Sequence, residues 1–230
     1  MLPTPRHQMN APPPWTLTGY GLILVAHFPE AFVRRHGFLQ PYQQVAYRGW
    51  LGTVMLVNYQ TSNVGPYAEL LFIPGLFRFG NTTSFSIAKI YVSTEESVVN
   101  GRLNWGIPKE RADFAFSEPA RGYQQISVSR RGQPFLSVQA KTWGPRFPIS
   151  TAFVPGFRVV QASFFEASEP AVSGLLLTKP TASGSARLAS LTNVTIDSTF
   201  FPDLSAIKPI IALSVENFSM QFPHPRQIRG

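Results

Sequence analysis

Two long apolar runs, residues 17–28 and 45–59, constrain what this chain can fold into more than any other feature. Both are rich in branched and aromatic side chains, which suit a pleated, half-buried surface better than a helix. Residues 85–92 alternate in polarity and predict a further half-buried strand. Ile126 and Val128, then Leu136, Val138 and Ala140, flank the polar turn Arg130-Arg131-Gly132-Gln133, the pattern of a hairpin. Near the C-terminus Leu213 and Val215 share one parity and Phe218, Met220 and Phe222 the other, so a β-bulge is expected around Glu216-Asn217. Segments 168–185 and 197–209, rich in Ser, Thr, Pro and Gly, read as connections.

Helices are expected to be few and short. Residues 29–36 open on a proline and precede Gly37, which predicts one short helix. Ser93-Thr94-Glu95-Glu96 reads as a capping box opening a second helix through about Leu103, and Pro108 prevents its continuation. Ile107, preceding a proline, is pushed toward extended geometry. Lys109 is therefore expected on a loop held between rigid elements, where functional groups are often found. The fold class is α+β, mostly antiparallel β, in a closed or nearly closed barrel-like form. One domain over residues 14–224 is expected, after a disordered or extended segment at 1–13 and before a tail at 225–230.

Composition narrows the function. Charged residues make up 14% of the 230 positions, against roughly a quarter in ordinary soluble domains. Long apolar strands with so little charge point to subunit contacts, and a homo-oligomer is expected. The net charge of +8 comes from 20 basic against 12 acidic residues, but the pairs Arg34-Arg35 and Arg130-Arg131 lie far apart and without an aromatic cluster. A nucleic-acid partner is not expected. There is no cysteine, no signal-like N-terminus, and residues 20–28 are too short to span a bilayer, so a cytoplasmic protein without a membrane partner is the reading. The sequons at Asn81, Asn193 and Asn217 are then chance matches. The four histidines lack metal-ligand spacing, and neither a phosphate-cradling glycine loop nor a nucleophile elbow is present, so no metal and no cofactor is called for.

Lys109 stands out in this charge-poor chain because its near neighbours are Trp105, Ile107 and Pro108. Desolvation disfavours an ammonium, and a neutral amine is what attacks a ketone to form an imine. Glu69 lies in the apolar run of residues 67–73, where an unpaired carboxylate is costly. It is either a working acid or half of a structural salt bridge with a base such as Arg102. Arg102 is in turn either a ligand for a substrate carboxylate or a partner of Glu69 or Glu95. Tyr67, Trp105, Ile107 and Tyr20 are candidate pocket walls, with core packing as the plainer alternative for the aromatics.

Taken in order, Pro14-Trp15-x-Leu17-x-Gly19-x-Gly21, Gly65-Pro66-Tyr67-x-Glu69, Ile90-Tyr91-Val92 and Gly101-Arg102-x-x-x-Gly106-Ile107-Pro108-Lys109 resemble the acetoacetate decarboxylase-like superfamily. The resemblance implies a cone-shaped β-barrel around a pocket, often oligomeric, with Lys109 as the Schiff-base lysine and Glu69 as an acid in the same pocket. It also implies a small keto acid as substrate, decarboxylated through an imine and an enamine. A pyruvate aldolase-dehydratase using the same imine, or a barrel that binds small ligands without turnover, are the alternatives. The chain departs from the family pattern in having Glu110 where a second lysine follows the first, Leu103 where a glutamate follows the Gly-Arg pair, and Tyr20 at about the position of an arginine. If its side chain met Lys109, Glu110 would hold the ammonium form; if the segment is extended, Glu110 faces away.

Overall fold

The computed structural model describes residues 11–117, 122–154, 156–163 and 174–228. Among these the strands are β1 (Trp15–His27), β2 (Tyr47–Gly49), β3 (Leu51–Thr61), β4 (Tyr67–Ile73), β5 (Leu76–Phe79), β6 (Thr82–Phe85), β7 (Lys89–Val92) and β8 (Lys109–Arg111). They continue with β9 (Asp113–Phe116), β10 (Tyr123–Arg130), β11 (Gln133–Ser150), β12 (Val159–Ala162), β13 (Leu175–Thr178), β14 (Thr181–Ile196), β15 (Ile211–Phe222) and β16 (Arg226–Ile228). Three helices interrupt them: α1 (Glu30–His36), α2 (Pro41–Ala46) and α3 (Glu95–Trp105).

Ten strands form one sheet in the order β8-β7-β4-β3-β1-β15-β14-β11-β10-β9, and six form a second in the order β16-β13-β12-β6-β5-β2. Neighbours in the large sheet are antiparallel except β7 and β8, which run parallel with Ile90 opposite Lys109. The large sheet curls until its ends meet. Arg130 on β10 reaches Glu110 on β8 at 3.0 Å, and Tyr91 on β7 packs against Phe135 on β11 with ring centroids 4.9 Å apart. One core fills the inside of this curl, joining Leu22, Leu24, Val54, Leu56 and Leu70 to Ile126, Val128 and Val138. A second lies on the opposite face of β1, β3 and β4, where Trp15, Leu17, Val57, Tyr59, Tyr67 and Leu71 pack with Trp105 and Ile107.

The hairpin forms as expected, with Arg130 opposite Gln133 and both Arg131 and Gly132 at positive φ. The bulge forms too. Gly19 faces Phe218 while Gly21 faces Val215, and Asn217 takes a φ of 48°. The extra residue keeps Leu213 and Val215 on the same side as Phe218, Met220 and Phe222, which resolves the parity switch.

Other expectations are corrected. Residues 45–59 are not one strand: Val45 and Ala46 end α2, and a kink at Gly49 and Trp50, both at positive φ, separates β2 from β3 in different sheets. Residues 85–92 likewise divide between β6 and β7. Within the connection expected at 168–185, residues 168–173 lie outside the described residues, and most of the rest is β13 and β14. The tail expected after residue 224 contains β16, which pairs with β13. Of the N-terminal segment, residues 1–10 lie outside the described residues. Ala11 is pinned to α3, its N–H donating to Asn100 Oδ1 and its carbonyl accepting from Asn104 Nδ2, each at 2.8 Å. No helix among the described residues is long and apolar enough to cross a membrane.

Candidate active site

Helix α3 and strand β8 set the site between them. Thr94, one residue later than the expected cap, accepts the N–H of Ser97 through its side chain, a contact worth about 1 kcal/mol. The helix runs to Trp105 and stops at Gly106, which adopts a φ of 67° and donates its N–H to Arg102 and Gly101 carbonyls. The stop is thus a left-handed glycine cap, and Pro108 only follows it. Ile107 also bonds back to Gly101, at 3.3 Å, and the chain then enters β8 at Lys109. Lys109 is therefore the first residue of a strand, correcting its expected place on a loop.

Ser97, Gly101 and Trp105 recur every four residues and make one stripe of α3. The Lys109 side chain crosses this stripe. A Cβ on Gly101 would stand 2.6 Å from Lys109 Cδ and 2.9 Å from Cε, so only glycine leaves room for the lysine stem. Arg102 Nε donates to the Lys109 carbonyl at 2.8 Å and holds the backbone from the other side. Arg102 is not among the cavity-lining residues, so its expected contact with a substrate carboxylate gives way to a positioning role.

The Lys109 amine is 4% exposed together with its residue and ends among three oxygen groups. Nζ lies 3.1 Å from Glu69 Oε2, donates to Ser97 Oγ at 3.0 Å and to the Tyr67 hydroxyl at 3.4 Å, and stands 4.9 Å from the centre of the Tyr67 ring. Glu69 Oε1 accepts the hydroxyl of Tyr59 at 3.1 Å. Burial, and then the negative charge of Glu69, push the hydroxyls of Tyr59 and Tyr67 well above the usual tyrosine range. Both remain protonated and able to donate. Removing one member of such a buried ion pair costs about 3–5 kcal/mol, because the other is left desolvated.

Glu110 faces away. It pairs with Lys89 at 2.5 Å and Arg130 at 3.0 Å on the far side of β8, as alternation along an extended strand requires. Tyr20 also faces away: it sits on the inner face of β1, accepts from Asn58 Nδ2 at 2.7 Å and packs edge-on against Phe116. Its expected place in the pocket is corrected for the same reason, since the odd-numbered residues of β1 line the cavity.

The cavity has a volume of about 470 Å³ and is walled by β1, β3, β4 and β15 on one side and by Phe85, Ile87, Phe157 and Val159 on the other. Trp105 and Ile107 line it as expected; Trp105 is fixed by donating to the Pro223 carbonyl at 2.8 Å and by edge-on packing with Trp15 and Phe222. Among the described residues, Lys109 and Glu69 are the charged groups in its lining. No cluster of three His, Asp or Glu suited to a metal occurs among the described residues.

Two members of the polar cluster, Ser97 and Tyr59, escaped the sequence reading. Ser97 stands four residues before Gly101 and eight before Trp105, so the stripe was readable from the motif itself. Tyr59 is the cross-strand partner of Tyr67, a pairing that sequence without register does not give.

The sequence model of the family described as Acetoacetate decarboxylase (ADC) matches residues 39–168, a stretch that carries Glu69, Ser97, Gly101 and Lys109. Protein NEOXANTHIN-DEFICIENT 1 of Arabidopsis thaliana is 29% identical over 106 residues, which are 46% of this chain and 37% of that protein. The matched part thus spans little more than a third of that curated relative. Among solved structures, acetoacetate decarboxylase from Legionella pneumophila superposes with a TM-score of 0.71 at 12% identity, covering 99% of this chain and 92% of the other. The enduracididine biosynthesis enzyme MppR, complexed with the condensation product of pyruvate and imidazole 4-carboxaldehyde, gives 0.66 at 14% identity, covering 100% and 94%. An acetoacetate decarboxylase-like enzyme from Sphingomonas wittichii RW1 gives 0.67 at 12% identity, covering 99% and 97%. At these identities the likeness is one of fold.

Proposed function

The chain belongs to the acetoacetate decarboxylase family, and from that premise we propose that it is a lysine imine enzyme with Lys109 as nucleophile, decarboxylating a keto acid. The observation that carries this reading is the contact of Lys109 Nζ with Glu69 Oε2 at 3.1 Å inside a largely apolar cavity. An ammonium cannot attack a carbonyl. Glu69 is the group in contact that takes its proton.

The amine then adds to the ketone carbon, and Glu69 returns the proton to the carbinolamine oxygen, which leaves as water to give the protonated imine. The electron pair of the bond to the carboxyl group moves toward the iminium as carbon dioxide departs, leaving an enamine. The enamine carbon takes up a proton, and water hydrolyses the imine to free Lys109. A carboxylate held where Lys109 is, among the described residues, the cation of the lining is poorly solvated, whereas its charge disperses in the transition state, so the cavity favours loss of carbon dioxide. Ser97 and Tyr67 fix the amine, and Tyr59 holds Glu69.

Borohydride trapping with acetoacetate and a panel of other keto acids tests this reading by peptide mass. The expected result is a reduced adduct on Lys109, lost in a Lys109→Met, Glu69→Gln variant that leaves no unpaired charge. An adduct on another lysine, or none from any keto acid, overturns it, the latter in favour of a ligand-binding barrel. Adduct formation without carbon dioxide release, but with uptake of an aldehyde by a pyruvate imine, replaces decarboxylation by aldol chemistry.

A further inference from the structure

The cavity is far larger than the reacting end of a keto acid needs. At about 30 Å³ per water-sized group, its volume of about 470 Å³ holds on the order of fifteen non-hydrogen groups, roughly twice the size of acetoacetate. The space is elongated. Residues 51, 53, 55, 57 and 59 of β3 all line it, and Glu69 lies opposite Val57 whereas Ile73 lies opposite Thr53. Lys109 and Glu69 are therefore at one end and Thr53 is four residues, ~13 Å, along the strands from Glu69. The mouth near Thr53 is apolar too: Trp50 is 54% exposed, Val154 is 39% exposed, and both line the cavity.

We propose that the substrate is an elongated, largely apolar oxo compound with its reacting carbonyl at Lys109 and a tail of roughly ten carbons along β3 and β4. This rests on Lys109 being the imine-forming lysine. A short keto acid would leave most of the apolar wall facing water, whereas each buried methylene is worth a factor of about four in affinity.

The test is borohydride trapping, read by intact mass, with methyl ketones of four to about eleven carbons. Trapping at limiting ketone is expected to rise severalfold per added methylene until the cavity is full. Trapping of short ketones with no dependence on length overturns the inference and leaves the imine reading standing. Should no ketone be trapped, the imine reading fails, and calorimetric binding of the same series to the wild-type protein decides the substrate class by its dependence on chain length.

Discussion

Gly101 shows how a residue without a side chain can fix one that has a long side chain. Its absent Cβ is the space through which Lys109 reaches Glu69, and any atom placed there meets Cδ at 2.6 Å. Gly101→Ala is therefore expected to separate stability from chemistry. Alanine raises helix propensity by up to about 1 kcal/mol, which offsets much of the steric push, so thermal unfolding should shift little. The lysine stem must swing aside, and the rate of borohydride trapping should fall by roughly tenfold or more, as misplacement of a reacting group by about an ångström does. A trapping rate equal to wild type would show that the stem has another way in. Lys109 and Glu69 were each legible as a charge in an apolar stretch, and their place in one pocket was what the family resemblance implied. Tyr20 was misjudged because one residue along a strand separates the cavity face from the inner core, and parity is assigned only once the register is known.

At the level of elements, the hairpin, α1, α3 and the bulge were readable from turn residues and caps, which act locally. The division of residues 45–59 and 85–92 between two sheets was not, since apolar runs look alike whichever sheet they join. The end of α3 illustrates the difference between a sufficient and an actual cause. Pro108 would have ended the helix, but Gly106 ends it first, and its φ of 67° and close approach to the Ala162 carbonyl leave no room for a Cβ, which would lie 2.1 Å from that oxygen. Gly106→Ala should cost about 3 kcal/mol, the sum of a left-handed penalty and displacement of β12. Urea denaturation measures it, and a loss below about 1 kcal/mol would mean that the cap and β12 relax freely. The contrast with Gly101→Ala, where trapping falls and the fold holds, distinguishes the two glycines.

For the whole molecule, the sequence pointed correctly to a β-rich, curled architecture, and the low charge is partly accounted for by two separate cores rather than one. Exposed apolar side chains remain at Val45, Phe153 and Ile210, which are 81%, 71% and 63% exposed. We propose that they are covered by a second copy of the chain. Light scattering over a dilution series should give a mass at least twice 25.5 kDa, and a single species at 25.5 kDa would overturn the proposal. The curl itself has a further consequence. Strand β8 presents Lys109 to the cavity and Glu110 to Lys89 and Arg130, so the residue proposed to do chemistry and the residue that stitches the two ends of the sheet are neighbours on one three-residue strand. A seam and a workbench are thus the same piece of chain. Fraying at that seam is expected to disturb the bench as well, so borohydride trapping and closure of the sheet should be lost together on heating or in denaturant.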